Sequence, residues 1–202
     1  MIREGFLRWY LPFYFAIYLG VCFIWRSYLV WKRTGKNPMV LGSSDSVFDY
    51  VGRWFKFAIV LIAIVVGAFM ISKEAYAWLV PITYLEQEAL VLIGIGLTII
   101  SLVWIAVAQA QMGASWRIGI DHKNKTGLVS VGLFRRSRNP IFLGMIWTIM
   151  GFFLILPNAV SLLALVLGYV LIQIQVRLEE EFLERAHGSA YLEYRRMVRR
   201  WL

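Results

Sequence analysis

Two short stretches hold most of the groups in this sequence that could do chemistry. The first runs Lys125-Thr-Gly-Leu-Val-Ser-Val-Gly-Leu-Phe-Arg-Arg-Ser-Arg-Asn-Pro140 and continues through Ile141, Phe142, Leu143 and Gly144. Gly127 and Gly132 allow tight turns and close backbone approach to a ligand. Arg135, Arg136 and Arg138 concentrate positive charge. Asn139 is a good N-cap and Pro140 suits a first helical turn, so a helix start is expected here, with free N–H groups for an anion. Two readings stay open for this stretch: an ordered loop with an anion site, or a basic topology signal ahead of an ordinary helix.

The second stretch runs from Arg177 to Tyr194 and opens with Glu179, Glu180 and Glu181. Like charges this close repel, and on a helix they point in different directions. At least one should face the protein or a ligand, against the plainer reading of a solvated helix end. Gly188 is expected to end that helix. Tyr191, Tyr194, Val198 and Trp201 then follow on a short amphipathic segment, available for the membrane interface. The lone Cys22 lies in an apolar run and reads as a core residue with no disulfide partner. The two histidines are His122 and His187, and no metal site is expected.

The elements that must position these groups are membrane spans. The chain has 202 residues, 60% hydrophobic and only 16% charged, with mean hydropathy +0.66. That excludes disorder and argues against an ordinary soluble domain, where about a quarter of residues are charged. A span needs about 20 mostly apolar residues. Such runs occupy Leu11–Trp25 resuming after Arg26 to Trp31, then Phe57–Ser72, then Ala89–Gln111. The uncharged stretch Asn139–Val176 is too long for one helix and carries the turn pair Pro157-Asn158 at its midpoint, which predicts two helices in a hairpin. The expected fold is therefore an all-α integral membrane protein of about five transmembrane helices. One membrane domain covers 1–202, with N-terminal helices in 1–107 and a chemistry-bearing half in 108–202.

The formal charge of +9 is explained by topology rather than by nucleic acid. Lys32, Arg33, Lys36, Arg53 and Lys56 fall in one connection, and Arg117, Lys123, Lys125, Arg135, Arg136 and Arg138 in another. The positive-inside rule makes these connections and the arginine-rich tail cytoplasmic. Arg3 and Arg8 flank an apolar run too long for a signal peptide, which reads as a retained helix. Compactness and the lack of a targeting segment point to a prokaryotic inner membrane. Trp9, Tyr10, Trp25, Tyr28 and Trp31 read as interface anchors, and Arg26 as a snorkelling side chain.

On this topology the carboxylates and arginines face one another at the inner interface. A ligand with an amino-acid end, a ribose and a positive centre would suit such a site. The arrangement L-V-x-x-G-x-F-R-x-x-R-N-P-x-F-x-G, a two-helix hairpin, then E-E-x-x-L-x-x-x-x-G-x-x-Y-x-x-Y resembles the isoprenylcysteine carboxyl methyltransferases. These integral membrane enzymes and the related phospholipid N-methyltransferases use S-adenosylmethionine. The resemblance covers residues 108–202. It implies that Leu128, Val129, Gly132 and Phe134 wrap the cofactor, and that Arg138, Asn139, Pro140 and Gly144 continue its site. It further implies that Glu179 and Glu180 hold the cofactor's polar groups, with Arg138 and Glu180 as catalytic candidates. Phe142, Tyr191, Tyr194 and Arg196 are expected to meet the substrate.

Several positions depart from the family pattern. Asn139 stands where a histidine is usual, Phe142 where a tyrosine is, and His187 where the family is aromatic. Arg199 replaces a proline, and Met197 precedes Val198 where an acceptor-binding arginine is expected, a role Arg196 or Arg200 could fill. The implied chemistry is methyl transfer to a lipophilic acceptor within the bilayer, most simply an isoprenylcysteine-like carboxylate. Such an acceptor is ionised at neutral pH and requires no base. An amine would need one, and Glu180 is the first candidate. A phospholipid amine or small-thiol methyltransferase, a nicotinamide-dependent membrane reductase and a non-catalytic scaffold are the alternative readings.

Overall fold

The computed structural model describes residues 4–35, 46–116 and 127–202. Arg3, Lys36, Arg117, His122, Lys123 and Lys125 lie outside the described residues. What is described is all-helical, with one isolated bridge between Pro81 and Asn158 and no strand.

The chain opens with α1 (Glu4–Leu19), a π-helical turn (Gly20–Trp25) and α2 (Arg26–Thr34), which form one continuous rod. Then come α3 (Val47–Ile71), the short α4 (Lys73–Ala77), α5 (Glu88–Met112), α6 (Pro140–Ile155), α7 (Ala159–His187) and α8 (Ser189–Met197). Among the described residues, four helices are long and apolar enough to cross a membrane: Glu4–Thr34, Val47–Ile71, Glu88–Met112 and Ala159–His187. The remaining expected crossing is α6, which has 16 residues. At 1.5 Å per residue it reaches about 24 Å, short of the roughly 30 Å hydrocarbon core.

Local sequence explains several helix starts. Ser46 caps α3 by accepting the Asp49 N–H at 3.2 Å. At Pro157-Asn158 the expected turn is built as a capping box. Asn158 accepts the Ser161 N–H at 2.9 Å, and Ser161 Oγ accepts the Asn158 N–H at 3.0 Å. Leu156, Pro157 and Asn158 alone connect α6 to α7. Pro157 also accepts the Ile82 N–H at 2.8 Å, tying this turn to the segment before α5.

Alpha-helices α5 and α6 meet at unusually close range. A β-carbon on Gly151 would lie 2.8 Å from the Gly94 carbonyl oxygen, and one on Gly94 2.8 Å from that of Gly151. Further along the same seam the Ser101 and Thr148 hydroxyls are 2.8 Å apart. Tyr10 Oη joins α1 to the seam, 2.6 Å from Thr98 Oγ1. Where lipid tails are as apolar as leucine, small residues and interhelical hydrogen bonds of this kind hold helices together.

Arg26 does not snorkel. It is buried, its Nη2 donates to the Gly113 carbonyl, and its guanidinium lies over the Trp116 ring, 6.0 Å from the centroid. The rod is thereby fastened to the end of α5. Trp9, Trp25, Tyr28 and Trp31 are exposed, whereas Tyr10 is engaged by Thr98.

Candidate functional site

The segment before α6 and the residues after α8 fold over one buried carboxylate. Glu180 sits where α7 has left its apolar stretch and is 6% exposed. Arg138 Nη2 donates to Glu180 Oε1 at 3.2 Å, and Arg200 Nη2 to Oε2 at 2.9 Å. Asn139 Nδ2 adds a bond to Oε1 at 3.0 Å. Asn139 is therefore the N-cap residue of α6 by position, yet its side chain makes no cap bond. It turns instead to the carboxylate, to which its Nδ2 donates a charge-assisted bond.

The same arginine ties down the chain terminus. Arg138 N–H donates to the Arg199 carbonyl at 2.9 Å, and its guanidinium Nη1 to the carbonyls of Val198 and Arg195. Ser137, fully buried, donates from Oγ to the Arg200 carbonyl at 3.2 Å and accepts the Asn139 N–H at 3.1 Å. Hydrogen bonding to Glu180 holds the Arg200 pKa above its ordinary value. Glu180 and Arg138 thus saturate each other and the tail.

Tyr191, Tyr194 and Val198 form a buried cluster against Leu128 and Leu183, so they pack under the loop rather than at the membrane interface. Tyr194 Oη donates to the Phe134 carbonyl at 2.7 Å, fixing the loop from within. Tyr191 Oη is buried without a hydrogen-bond partner among the described residues. Burial pushes both phenols up to about 12. Gly188, with φ +54°, ends α7 and lets α8 fold back.

Glu179 points elsewhere. It lines a cavity of about 440 Å³ inside the helices, walled by apolar side chains such as Phe15, Phe55, Ile62, Phe142, Ile149 and Phe152. Gln175 lies beside it and donates to Glu179 Oε1 at 2.9 Å. Along α7 the lining extends from Ala164 to Glu179, a rise of roughly 22 Å at 1.5 Å per residue. The consecutive pair Glu179-Glu180 is split, one carboxylate to the cavity and one to the arginines.

The remaining sequence candidates fall into distinct places. Phe142 is in the cavity wall. Pro140 is buried and its carbonyl accepts Trp104 Nε1 at 2.9 Å. Leu128 packs on the tyrosines, and Val129 beside it is half-buried. Gly144 faces α5, where a β-carbon would lie 2.5 Å from Ile105, so it serves helix packing. Arg196 is exposed, and the tail arginine brought to the carboxylate is Arg200. Ser137 and Gln111, which orders the loop from α5 through its bond to Leu133 N–H at 2.7 Å, were not singled out by the sequence. Neither carries a charge or motif signal that would have separated it from its neighbours.

No curated protein matches the chain. The phospholipid methyltransferase family matches it over residues 89–190, from the start of α5 into α8 and just over half of its length. Both helices of the tight seam, the arginine segment and the Glu179-Glu180 pair lie inside that range, and the chain belongs to the phospholipid methyltransferase family, which is related to the isoprenylcysteine carboxyl methyltransferases.

Proposed function

We propose that the protein transfers a methyl group from S-adenosylmethionine to a lipophilic acceptor whose apolar part occupies the 440 Å³ cavity. The observation that carries this reading is the cavity itself, apolar along its length with one carboxylate, Glu179, among its lining groups. Pockets of a few hundred cubic ångströms with a few convergent polar groups suit small ligands. The charge of the basic connections supports a cytoplasmic side for the arginine segment and the tail. Helix α6, paired with α7 as a hairpin, completes a fifth, shorter crossing.

The residues present fit a cationic cofactor with polar ends. Glu179 supplies a carboxylate on the cavity side; on the other side of α7's end, Tyr191 supplies a buried hydroxyl without a partner among the described residues, and Leu128 to Gly132 a partly exposed segment. When bound, S-adenosylmethionine supplies a methyl group activated on a positively charged sulfur. Arg138, Asn139 and Glu180 hold the loop and tail in register around that site, as positioning residues. The apolar cavity wall excludes water, which strengthens each electrostatic contact inside.

Between acceptor classes, Glu179 favours an amine headgroup, as in a phospholipid. It can take the proton that an amine loses on methylation, and it disfavours a second carboxylate beside it. An isoprenylcysteine-like carboxylate is the second reading, favoured by Lys56 at the cavity wall. Purified protein in detergent is expected to bind S-adenosylhomocysteine one-to-one and not NADPH. Incubation with labelled S-adenosylmethionine and either phosphatidylethanolamine or N-acetyl-S-farnesylcysteine then decides the acceptor. Absence of S-adenosylhomocysteine binding to folded protein would overturn the methyltransferase assignment.

A further inference from the structure

Arg26 is a cation in a place that gives it almost nothing to neutralise. It lies in a membrane-crossing rod and is 7% exposed. Its partners among the described residues are one carbonyl, Gly113, and one ring, Trp116. Its Nε is buried with no hydrogen-bond acceptor, and the hydroxyl of the next residue, Ser27, is buried and unpartnered as well. A guanidinium offers five N–H donors, so most of its capacity is unspent. An isolated charge in this environment is costly, and intramembrane arginines pair with other charges or with backbone carbonyls and mark ligand pathways; Arg26 has one carbonyl for five donors.

Its surroundings supply the direction. The π-helical turn Gly20–Trp25 ends one residue before Arg26, and such turns re-aim side chains and recur at functional sites. Cys22 and Phe23 on that turn, with Gln109, Met112 and Trp116 from the α5 side, all line the cavity that holds Glu179. Arg26 is not itself among the lining residues and meets the cavity's edge through Trp116, which lies over the guanidinium and lines the cavity.

We infer that Arg26 recognises an anionic group, a phosphate or a carboxylate, on the lipid that enters the cavity. The inference rests on the reading of that cavity as the acceptor site. It assigns the N-terminal rod, which lies outside the family match, a part in choosing the substrate: the tail is taken by the apolar wall and the anion by Arg26. An acceptor without a negative charge would leave the guanidinium unpaired and bind more weakly.

The test uses the full chain in a neutral maltoside detergent, titrated calorimetrically with dodecyl phosphate, dodecanoate and dodecanol. The wild type is expected to bind at least one of the two anions about tenfold or more tightly than the alcohol, since a charge-assisted pair to arginine is strong. Which anion is preferred separates a phosphate from a carboxylate acceptor. Arg26→Gln is expected to remove most of the preference with dodecanol affinity unchanged, Lys56 at the cavity wall keeping the remainder, and Arg26→Lys to keep most of it. A wild type without preference, or Arg26→Gln with the preference intact, overturns the inference. Should Arg26→Gln fail to fold, Arg26→Met takes its place: loss of the preference in the folded variant supports the inference, and a preserved preference, like wild-type indifference, overturns it. S-adenosylhomocysteine binding, measured on the same samples, tests the methyltransferase reading separately.

Discussion

The carboxamide of Gln111 occupies the space that a β-carbon on Gly132 would need. The closest approach would be 2.3 Å, while the same carboxamide accepts the Leu133 N–H at 2.7 Å. Gly132 also has φ +60°, a conformation that side chains disfavour. One residue at the end of α5 thus sets the path of the arginine segment, and the glycine is required twice over, by space and by backbone.

Gly132→Ala is expected to cost about 1–3 kcal/mol locally and to weaken S-adenosylhomocysteine binding. Adding Gln111→Ala removes the clash but not the backbone strain, so the double variant should recover part of the loss. A double-mutant cycle on the dissociation constant checks this. Strictly additive effects would mean that the two residues do not communicate.

The split of the glutamate pair predicts opposite phenotypes from one change. Glu180→Gln leaves Arg138 and Arg200 around a neutral group, and breaking a buried pair in this way costs about 3 kcal/mol or more. Thermal unfolding should shift clearly downward, and proteolysis should reach the tail. Glu179→Gln is expected to leave the unfolding temperature near that of the wild type while turnover falls by about a hundredfold, the scale of a lost acid–base group. Equal thermal effects of the two variants would refute this division.

Arg138 and Arg200 share Glu180 unequally. The side chain of Arg138 is 9% exposed and that of Arg200 31%, and Arg138 also holds the carbonyls of Val198 and Arg195. Arg138→Ala should therefore release the tail, seen as rapid amide exchange over residues 195–200. Arg200→Ala should cost only about 1 kcal/mol, the scale of a partly exposed pair, with the tail still protected.

The seam between α5 and α6 admits no side chain at Gly151. Gly151→Ala places a methyl against the Gly94 carbonyl and should destabilise by about 1–3 kcal/mol. Gly96, two residues past Gly94 on α5, has nothing within 4 Å of its would-be β-carbon. Gly96→Ala should be neutral or stabilising, by up to about 1 kcal/mol from helix propensity. Paired melting curves in one detergent decide it.

Filling the cavity separates acceptor from cofactor. Ile59 lines it from α3, and Ile59→Trp should raise the KM for a lipid acceptor several-fold with S-adenosylhomocysteine affinity unchanged. A parallel loss of both would place the cofactor deeper in the cavity than proposed.

The sequence by itself determined the class of fold, because apolar runs bounded by charges fix where helices lie in a bilayer, and backbone polarity leaves them no other form there. It also determined the two stretches that meet, the turn at Pro157-Asn158 and the opposition of arginine to carboxylate. Only the tertiary structure decided where each carboxylate points. Glu179 and Glu180 are identical in type and adjacent in sequence, and their separation by one helical step of about 100° acquires meaning only once neighbours occupy each side. The same holds for Arg196 and Arg200, both available by composition but distinguished by the fold-back after Gly188. Gly144 resembles a cofactor residue in the motif and proves to face Ile105. Arg26 looked like a snorkelling cation because a sequence gives a residue's depth in a span but not the face it turns to its partners. That face is set by packing, and packing is the property that a one-dimensional pattern carries least.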